Sequence, residues 1–236
     1  QDIRTIFRLL KQQRFTFILV TGNFIGIIPG IMAKFFGLPL YVYEQNCRLG
    51  QANIILKPLS QKIFWGMHPG YRLKEYEFYT AQPLRKDIVT INQAHRDSNK
   101  ETPSCQRKTL LILGGSLGAA FFNTRLITLL AQSRLPSHWD IIHLAGSHGH
   151  VQAVVQEYEK VSLKACVLGY CQDIAKLYER SDALIARAGA LSLAEIIYLQ
   201  KKALIVPLPS SVGDHQRYNV YSCLNNRQIA YSEQER

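Results

Sequence analysis

The stretch "DALIARAGALSLAEI", residues 182–196, decides the fold class of this chain. It begins with a short apolar run, 183–185, that has the character of a buried strand, and it continues into a helical pattern. Between strand and helix lies a turn that carries a lone Arg187 and Gly189. A packed core does not need that arrangement, whereas a negatively charged ligand at a helix N-terminus does. We therefore predict a strand, a ligand-binding turn and a helix, in that order.

The same alternation of strand and helix runs through the second half of the chain. Apolar strand patterns occur at "TLLILGG", "WDIIHLAG", "ACVLGY" and "KALIVPLP", with helical patterns between them. The first half repeats the alternation in "FTFILVTG", "IPGIMAKFFG" and "LPLYVYEQN". Strict alternation of this kind is typical of parallel sheets with right-handed crossovers. We predict an α/β fold of two Rossmann-like domains facing a cleft, with ligands beyond the carboxyl ends of the strands.

A polar segment of mixed charge separates the two halves. Residues 86–108 offer little that could form a core, and we predict a linker there. We expect a first domain over 1–84 and a second domain over 85–236 that includes this linker. Because the chain opens with Gln1 and stops without an obvious closing element, we expect a fragment truncated at both ends, with both domains incomplete.

Net charge and composition limit the classes of binding partner. A net charge of +11 indicates an anionic partner, namely a nucleic acid, a phospholipid surface or a phosphorylated substrate. We predict no nucleic acid, since Lys and Arg are dispersed and no nucleic-acid motif is present. No apolar run reaches the about 18 residues of a spanning helix. Five cysteines without a CxxC pair, and no signal peptide, predict a reduced cytosolic compartment. His148-Gly149-His150 fits a polar loop better than a metal site.

A glycine-rich loop and a polar segment follow two of the predicted strands. In "GGSLG", residues 114–118, glycines let the backbone approach a phosphate and Ser116 adds a hydroxyl. The alternative is a plain tight turn, and the glycine spacing is not that of the dinucleotide motif. Asp214, His215, Gln216 and Asn219 follow "KALIVPLP" and form a third polar group at a strand end.

The helix after Arg187 carries a carboxylate that allows two interpretations. Ser192 and Glu195 have the S-x-x-E spacing of a capping box, which would make them ordinary helix-capping residues. A carboxylate at this position of an α/β nucleotide site commonly binds ribose hydroxyls instead. Because Arg187 has no neighbouring acid in the sequence, we favour the ligand-binding interpretation.

Several segments together resemble the MurG family of bacterial glycosyltransferases. They are "LLILGGSLGAAFFN", "ARAGALSLAEI" and "VPLPSSVGDHQRYN", with "LPLYVYEQNCRLGQAN" and "TAQPLR" similar to two further family segments. The matches are in order and span nearly the whole chain. The resemblance implies the GT-B fold and an inverting transfer of N-acetylglucosamine from UDP-N-acetylglucosamine to lipid I, which gives lipid II for peptidoglycan. It also implies that no metal or other cofactor is required.

The resemblance assigns roles to individual residues. Glu195 would bind the ribose hydroxyls, and the main chain of 190–194 would face the nucleotide and the diphosphate. Gln216 and Asn46 would hold the sugar from opposite domains. Arg85 and Arg187 would supply positive charge, and Ser116 would contact the diphosphate. Cys171 would contact uracil through its backbone. The main-chain contacts to UDP-N-acetylglucosamine would come from Ala190, Leu191, Ser192, Leu193 and Ala194. Supporting residues would be Glu44, Gly115, Gly118, His215 and Asn219, with Asp214 beside them.

The acceptor half departs from the family pattern. The family's N-terminal Gly-rich loop, whose His is a candidate general base, has no counterpart, so the catalytic residue is unknown. Ile27 and Ile28 replace a family Gly and Pro, and Tyr43 replaces a His. Glu44 and His143 are the remaining titratable candidates, and we expect His143 to be structural. The alternative to an active transferase is a degenerate, non-catalytic relative that binds a UDP-sugar or a membrane partner.

Two segments are candidates for membrane contact. "IRTIFRLLKQQRF", residues 3–15, predicts a basic amphipathic helix that can lie on anionic lipid. The alternative is an ordinary helix packed on the sheet. The apolar "IIPGIMAKFF", residues 27–36, is the second candidate. Since lipid I lies in the cytoplasmic leaflet, the resemblance implies a peripheral location on the cytoplasmic face of the bacterial inner membrane.

Overall fold

A computed structural model describes residues 3–97, 107–133, 135–146 and 150–234. The chain divides into two compact units, one of Gln1–Pro83 with Ser210–Ser222 and the other of Leu84–Pro209 with Cys223–Arg236. Both units are built on parallel sheets, which confirms the predicted α/β class. Within the described ranges, no helix is both long enough and apolar enough to cross a membrane.

The first unit contains a four-stranded parallel sheet in the order β1-β2-β3-β4. Its elements are α1 (Ile3–Gln12), β1 (Ile18–Val20), α2 (Ile27–Phe35), β2 (Leu40–Glu44), α3 (Gln51–Leu56), β3 (Lys62–Trp65) and β4 (Glu77–Tyr79). Val42, Ile63 and Leu56 are fully buried in its core. A Cβ at Gly30 of α2 would lie 2.7 Å from Cδ2 of Leu56, so a larger residue there would force the Leu56 side chain to shift. Close packing of α2 on α3 therefore fixes this face of the sheet.

The second unit contains a six-stranded parallel sheet in the order β10-β9-β8-β5-β6-β7. Its strands are β5 (Lys108–Leu113), β6 (Trp139–Leu144), β7 (Cys166–Leu168), β8 (Ala183–Ala186), β9 (Lys202–Ile205) and β10 (Ile229–Tyr231). Its helices are α4 (Lys86–Asp97), α5 (Ala120–Asn123), α6 (Arg125–Gln132), α7 (Val151–Lys160), α8 (Ile174–Arg180) and α9 (Ala190–Tyr198). Ile112, Phe122 and Ile127 are buried in its core. The strand order reverses between β5 and β8, which is the position where open α/β sheets bind ligands.

The prediction of a linker over 86–108 is wrong for its first half, which forms helix α4. Ile88 is completely buried and anchors this otherwise polar helix in the second unit. The side chain of Asp87 accepts a hydrogen bond from the main-chain N–H of Ile88 at 3.0 Å, at the start of the helix. Residues 98–106 lie outside the described ranges. Burial of Ile88 thus favours a helix in a segment whose sequence is mostly polar.

The helical segment between β5 and β6 is divided into α5 and α6. Thr124 separates them with φ −136° and ψ −81°, well outside the helical region. Its hydroxyl donates to the main-chain oxygen of Ala120 at 2.8 Å. Side-chain bonds of this kind compete with the helical pattern and bend helices.

Residues 210–222 belong to the first unit rather than to the second, where the sequence analysis placed them. They contain α10 (His215–Tyr221). The side chain of Asn219 accepts a hydrogen bond from the main-chain N–H of Cys47 at 3.1 Å. The guanidinium of Arg48 lies 3.1 Å from the ring centroid of Tyr218. These contacts attach α10 to the loop that follows β2.

Candidate functional site

The point of strand reversal in the second unit brings three loops to one edge of the sheet. Leu113 of β5 pairs with Ala186 of β8, and Ala186 pairs in turn with Ile205 of β9. The main-chain N–H of Arg187 donates to the oxygen of Leu113 at 3.4 Å, and that of Val206 donates to the oxygen of Ala186 at 2.9 Å. The loops after β5, β8 and β9 therefore start side by side. The sequence reasoning about carboxyl strand ends predicted this neighbourhood.

The glycine-rich loop after β5 is shaped by close backbone packing. Gly115 and Gly118 have φ of +86° and +81°, which favours glycine at both positions. A Cβ at Gly118 would lie 2.3 Å from the main-chain oxygen of Ala145 in the loop after β6. Close packing together with a positive φ explains Gly118, whereas Gly115 has open space around it and is explained by its positive φ alone. Ser116 lies at the tip of this loop and is exposed, so a ligand can reach it.

Helix α9 begins earlier than the capping-box interpretation requires. Its N-cap is Gly189 and its first residue is Ala190, so Ser192 is the third helical residue and Glu195 the sixth. A capping box needs the Ser at the N-cap and the Glu three residues later, so that interpretation is wrong. The first N–H groups of a helix have no intrahelical acceptor, and glycine offers no side chain to cap them. They remain available for an anion.

Glu195 is buried and oriented by one neighbour. Its side chain is on α9, and the residue is 6% exposed. The hydroxyl of Tyr178 on α8 donates to Oε2 at 3.0 Å. Among the described residues, Oε1 has no hydrogen-bond donor. Burial raises the pKa of the Glu195 carboxyl, while the Tyr178 hydrogen bond and the positive charge of Arg85 oppose that shift. The result is a carboxylate with one oxygen held and one oxygen available.

Arg85 brings positive charge to the vicinity of Glu195. Its Nε donates to Oδ1 of Asp87 at 3.1 Å, and its Nη2 lies 3.5 Å from the main-chain oxygen of Gln172. The pKa of Arg85 is raised, first by its hydrogen bond with Asp87 and further by the charges of Asp87 and Glu195. Gln172 directly follows Cys171, whose thiol is free and half-buried. Three of the predicted residues, Arg85, Cys171 and Glu195, therefore lie in one neighbourhood.

Arg187 has a different environment from the one its sequence position suggested. It is 8% exposed, and its Nη1 donates to the main-chain oxygens of Val206 and Pro207, both at 3.1 Å. Its Nη2 donates to Oε1 of Gln234 at 2.9 Å. Burial lowers the pKa of Arg187 to about 10. Nη1 and Nη2 of this arginine therefore bind carbonyl oxygens rather than an acid, and its buried Nε has no hydrogen-bond partner among the described residues. The Nη1 contacts tie the ends of β8 and β9 together.

A buried carboxylate organises the loop after β2 in the first unit. Glu44 is 4% exposed. Its Oε1 accepts from the main-chain N–H and from Nδ2 of Asn46, both at 3.0 Å, and its Oε2 accepts from the N–H of Gly50 at 2.8 Å and Nδ2 of Asn53 at 2.7 Å. Both oxygens are fully engaged by the protein. Glu44 therefore stabilises the loop after β2 and has no lone pair directed at a substrate.

Asn46 is held at both ends of its amide. Its Nδ2 donates to Glu44, and its Oδ1 accepts from Nδ2 of Asn219 at 2.9 Å. Each amide atom keeps one further hydrogen or lone pair for another partner. Asn219 is fully buried, a role that its place in a polar loop-to-helix segment did not reveal. Gln216 is half-buried nearby on α10, in the same unit as Asn46, so the predicted placement on opposite domains differs from the structure.

Two predicted candidates are structural or outside the described residues. His143 is completely buried. Its Nδ1 lies 3.0 Å from the hydroxyl of Tyr158, and burial lowers its pKa to about 4. His148 and Gly149 lie outside the described residues. Within the part of the chain that the structure describes, no three His, Cys, Asp or Glu side chains cluster in a way that could hold a metal.

Comparison with known proteins identifies similar sequences and folds. The family model "Glycosyltransferase family 28 C-terminal domain" matches residues 109–235. The UDP-N-acetylglucosamine--N-acetylmuramyl-(pentapeptide) pyrophosphoryl-undecaprenol N-acetylglucosamine transferase of Azotobacter vinelandii is 32% identical over 222 residues, which cover 93% of this chain and 60% of the relative. The enzyme of the same name from Pseudomonas putida is 30% identical over 212 residues, covering 90% of this chain and 57% of the relative. The chain thus spans less than two thirds of these relatives.

The structural comparison agrees with the sequence comparison. The crystal structure of Acinetobacter baumannii MurG superposes with a TM-score of 0.78 at 26% sequence identity. The match covers 98% of this chain and 64% of that chain. This similarity confirms the fold class that the alternation of strands and helices predicted.

Proposed function

Since this chain belongs to glycosyltransferase family 28, whose C-terminal domain model matches residues 109–235, we propose that it carries the donor site for UDP-N-acetylglucosamine. The reaction we propose is the inverting transfer of N-acetylglucosamine to lipid I, which yields lipid II. The observation that carries the proposal is Glu195, a buried carboxylate on α9 with one oxygen available, beside Arg85 at the point of strand reversal. The names of the relatives at about 30% identity describe this transfer.

The proposed donor site assigns one task to each group. The available Oε1 of Glu195 accepts hydrogen bonds from the ribose hydroxyls. The N–H groups of 190–192 at the start of α9 receive the diphosphate, since a helix N-terminus carries partial positive charge. Arg85 and the exposed hydroxyl of Ser116 add a cation and a donor. Cys171 meets the uracil ring through its backbone. We assign Arg187 no direct contact, because its Nη1 donates to the main-chain oxygens of Val206 and Pro207 and its Nη2 donates to Gln234.

The same groups supply the chemistry that the transfer needs. The oxygen of the acceptor 4-hydroxyl attacks the anomeric carbon, forms the new glycosidic bond and displaces UDP with inversion. The hydroxyl proton leaves to a general base for which no residue of this chain is assigned. Negative charge then develops on the departing diphosphate. Fixed N–H groups and a neighbouring arginine stabilise such charge without reorganising. We propose that this stabilisation replaces a metal ion. In the first unit, we propose that Gln216 and Asn46, whose amide keeps one further hydrogen and one further lone pair, bind a sugar.

We further propose that the first unit binds the surface of an anionic membrane at the cytoplasmic face. Large apolar side chains are exposed on α1 and α2, including Ile3 at 58%, Phe7 at 48% and Phe35 at 83%. Phe7 and Phe36 bring the two helices together, with ring centroids 5.3 Å apart. Exposed basic residues of α1, such as Arg8, accompany these apolar groups. Apolar groups framed by cations are the combination that binds anionic lipid.

Vesicle binding tests the membrane proposal. We expect co-sedimentation with phosphatidylglycerol vesicles and none with phosphatidylcholine vesicles. Each Lys or Arg near the surface is worth about 1 kcal/mol, so Arg8→Glu should weaken binding roughly fivefold or more. Lys164→Glu, an exposed reversal in the second unit, is the matched control and should change binding little. Equal effects of the two reversals would contradict docking through α1.

Calorimetric titration tests the donor site. We expect UDP-N-acetylglucosamine to bind the 236-residue chain more tightly than UDP-glucose does, and NAD not to bind. Glu195→Ala should abolish the binding, whereas Glu159→Ala, which removes an exposed carboxylate on α7, should leave it unchanged. A folded chain that binds none of these ligands would overturn the proposal.

A further inference from the structure

We infer that Tyr178 is a positioning residue for the nucleotide: its hydroxyl holds Oε2 of Glu195 so that Oε1 is presented to the ribose. The inference rests on the proposed function, because it deepens the role of Glu195 in the donor site. Tyr178 itself does not touch the nucleotide in this account. It acts through the carboxylate that does.

The geometry supports a fixed rather than an incidental contact. Tyr178 is 1% exposed, and its hydroxyl reaches across from α8 to Glu195 on α9 at 3.0 Å. The end of α8 is itself secured: the hydroxyl of Ser181 donates to the main-chain oxygen of Tyr178 at 2.8 Å, and Nζ of Lys201 donates to the main-chain oxygen of Ser181 at 2.8 Å. A phenol held in this way cannot follow a rotating carboxylate. The carboxylate must therefore adopt the orientation that Tyr178 sets.

Burial and three neighbouring groups determine the pKa of the Glu195 carboxyl. The groups that face Glu195 are Tyr178 on α8, Arg85 before α4 and Asp87 on α4. Burial and the charge of Asp87 raise the pKa of the Glu195 carboxyl, and the Tyr178 hydrogen bond and Arg85 lower it. An ionised carboxylate can accept from both ribose hydroxyls, whereas a protonated one loses acceptor capacity. Tyr178 thus both orients Glu195 and favours the form that binds ribose.

The first test compares two nucleotides with Tyr178→Phe. UDP and 2′,3′-dideoxy-UDP share the base and the phosphates, so the ratio of their affinities isolates the ribose hydroxyls. We expect this ratio to fall roughly tenfold in Tyr178→Phe, about the value of one hydrogen bond to a charged group. The affinity for the dideoxy nucleotide should not change. Tyr158→Phe is the matched control, since it removes another buried hydroxyl of the second unit, one that contacts His143 instead.

A pH series separates orientation from general loss of structure. In the unchanged chain the ratio should fall as the pH decreases through the pKa of Glu195. Without the Tyr178 hydrogen bond that pKa is higher, so in Tyr178→Phe the fall should begin at a higher pH. The phosphate titration is common to both nucleotides and cancels in the ratio.

The outcomes are distinguishable. A tenfold lower ratio with a shifted pH profile supports the inference. An unchanged ratio and pH profile in Tyr178→Phe would overturn it while leaving the donor site intact. Equal weakening of both nucleotides would also overturn it, because Tyr178 would then serve the fold and not the ribose contact. Failure of the unchanged chain to bind UDP would overturn the proposed function itself.

Discussion

Replacement of Glu44 by glutamine should destabilise the first unit severely, although the two side chains have nearly the same shape. Each oxygen of Glu44 accepts two hydrogen bonds, for a total of four. Glutamine keeps one oxygen and places an NH₂ group where the other oxygen was. In one orientation of the glutamine amide, the NH₂ group meets the main-chain N–H and the Nδ2 group of Asn46. In the other orientation, it meets the N–H of Gly50 and the Nδ2 group of Asn53. Two hydrogen bonds become contacts between donors.

The magnitude follows from the number of donors left unpaired. A buried donor without a partner costs about 1–3 kcal/mol, so two of them cost about 2–5 kcal/mol after some relaxation. Small domains are stable by only about 5–15 kcal/mol. With a urea dependence of about 2 kcal/mol per molar, the unfolding midpoint of the first unit should fall by about 1–2.5 M.

The chain offers a separate fluorescent reporter for each unit. Of its two tryptophans, Trp65 lies in the first unit and Trp139 in the second. Urea unfolding in a Trp139→Phe background therefore reports the first unit through Trp65. Glu75→Gln, at an exposed position of the same unit, is the control and should shift the midpoint little. If the urea midpoint of Glu44→Gln equals that of Glu75→Gln, the hydrogen bonds of Glu44 do not stabilise the loop.

Three further predictions concern the second unit. Arg187→Met should lower the stability of this unit by about 2–4 kcal/mol in urea unfolding followed through Trp139, because the oxygens of Val206 and Pro207 lose their donor. Weaker UDP binding at unchanged stability would instead favour a contact between Arg187 and the ligand. Burial lowers the pKa of His143 to about 4 from the ordinary 6.5. As the pH falls, the unfolded chain therefore takes up a proton at His143 before the folded chain does. About 3 kcal/mol of stability should be lost between pH 6.5 and 4. His143→Gln should remove that part of the pH dependence, and an identical profile in urea titrations would contradict the assignment. Binding of UDP-N-acetylglucosamine should be unchanged by EDTA in calorimetry, and affinity that returns only with Mg²⁺ would argue against helix α9 and Arg85 as the source of positive charge.

Periodicity predicted the sheet strands well, for a physical reason. Strands of a parallel sheet are buried on both faces, so they appear as short apolar runs such as 183–186. The order of strand, turn and helix then placed Glu195 near the carboxyl edge of the sheet without any structure. Helix α4 was missed because its sequence is mostly polar, and the burial of Ile88 depends on tertiary packing that the local sequence does not show.

The partners of individual side chains could not be predicted from local sequence. Arg187 has no acid near it in the chain, and its acceptors are carbonyl groups about twenty residues further on. The burial of Asn219 depends on the loop after β2, which is far away in sequence. Such long-range contacts determine whether a polar residue binds a ligand or stabilises the fold, and a motif gives only its position.

We propose that Glu195 and the start of α9 form the nucleotide site, and a crystal structure of the 236-residue chain with UDP would show this site. We expect ribose hydroxyls within hydrogen-bond distance of Oε1 of Glu195, with the diphosphate at the N–H groups of 190–192. UDP bound at another edge of the second unit, or ribose hydroxyls directed away from Glu195, would contradict it.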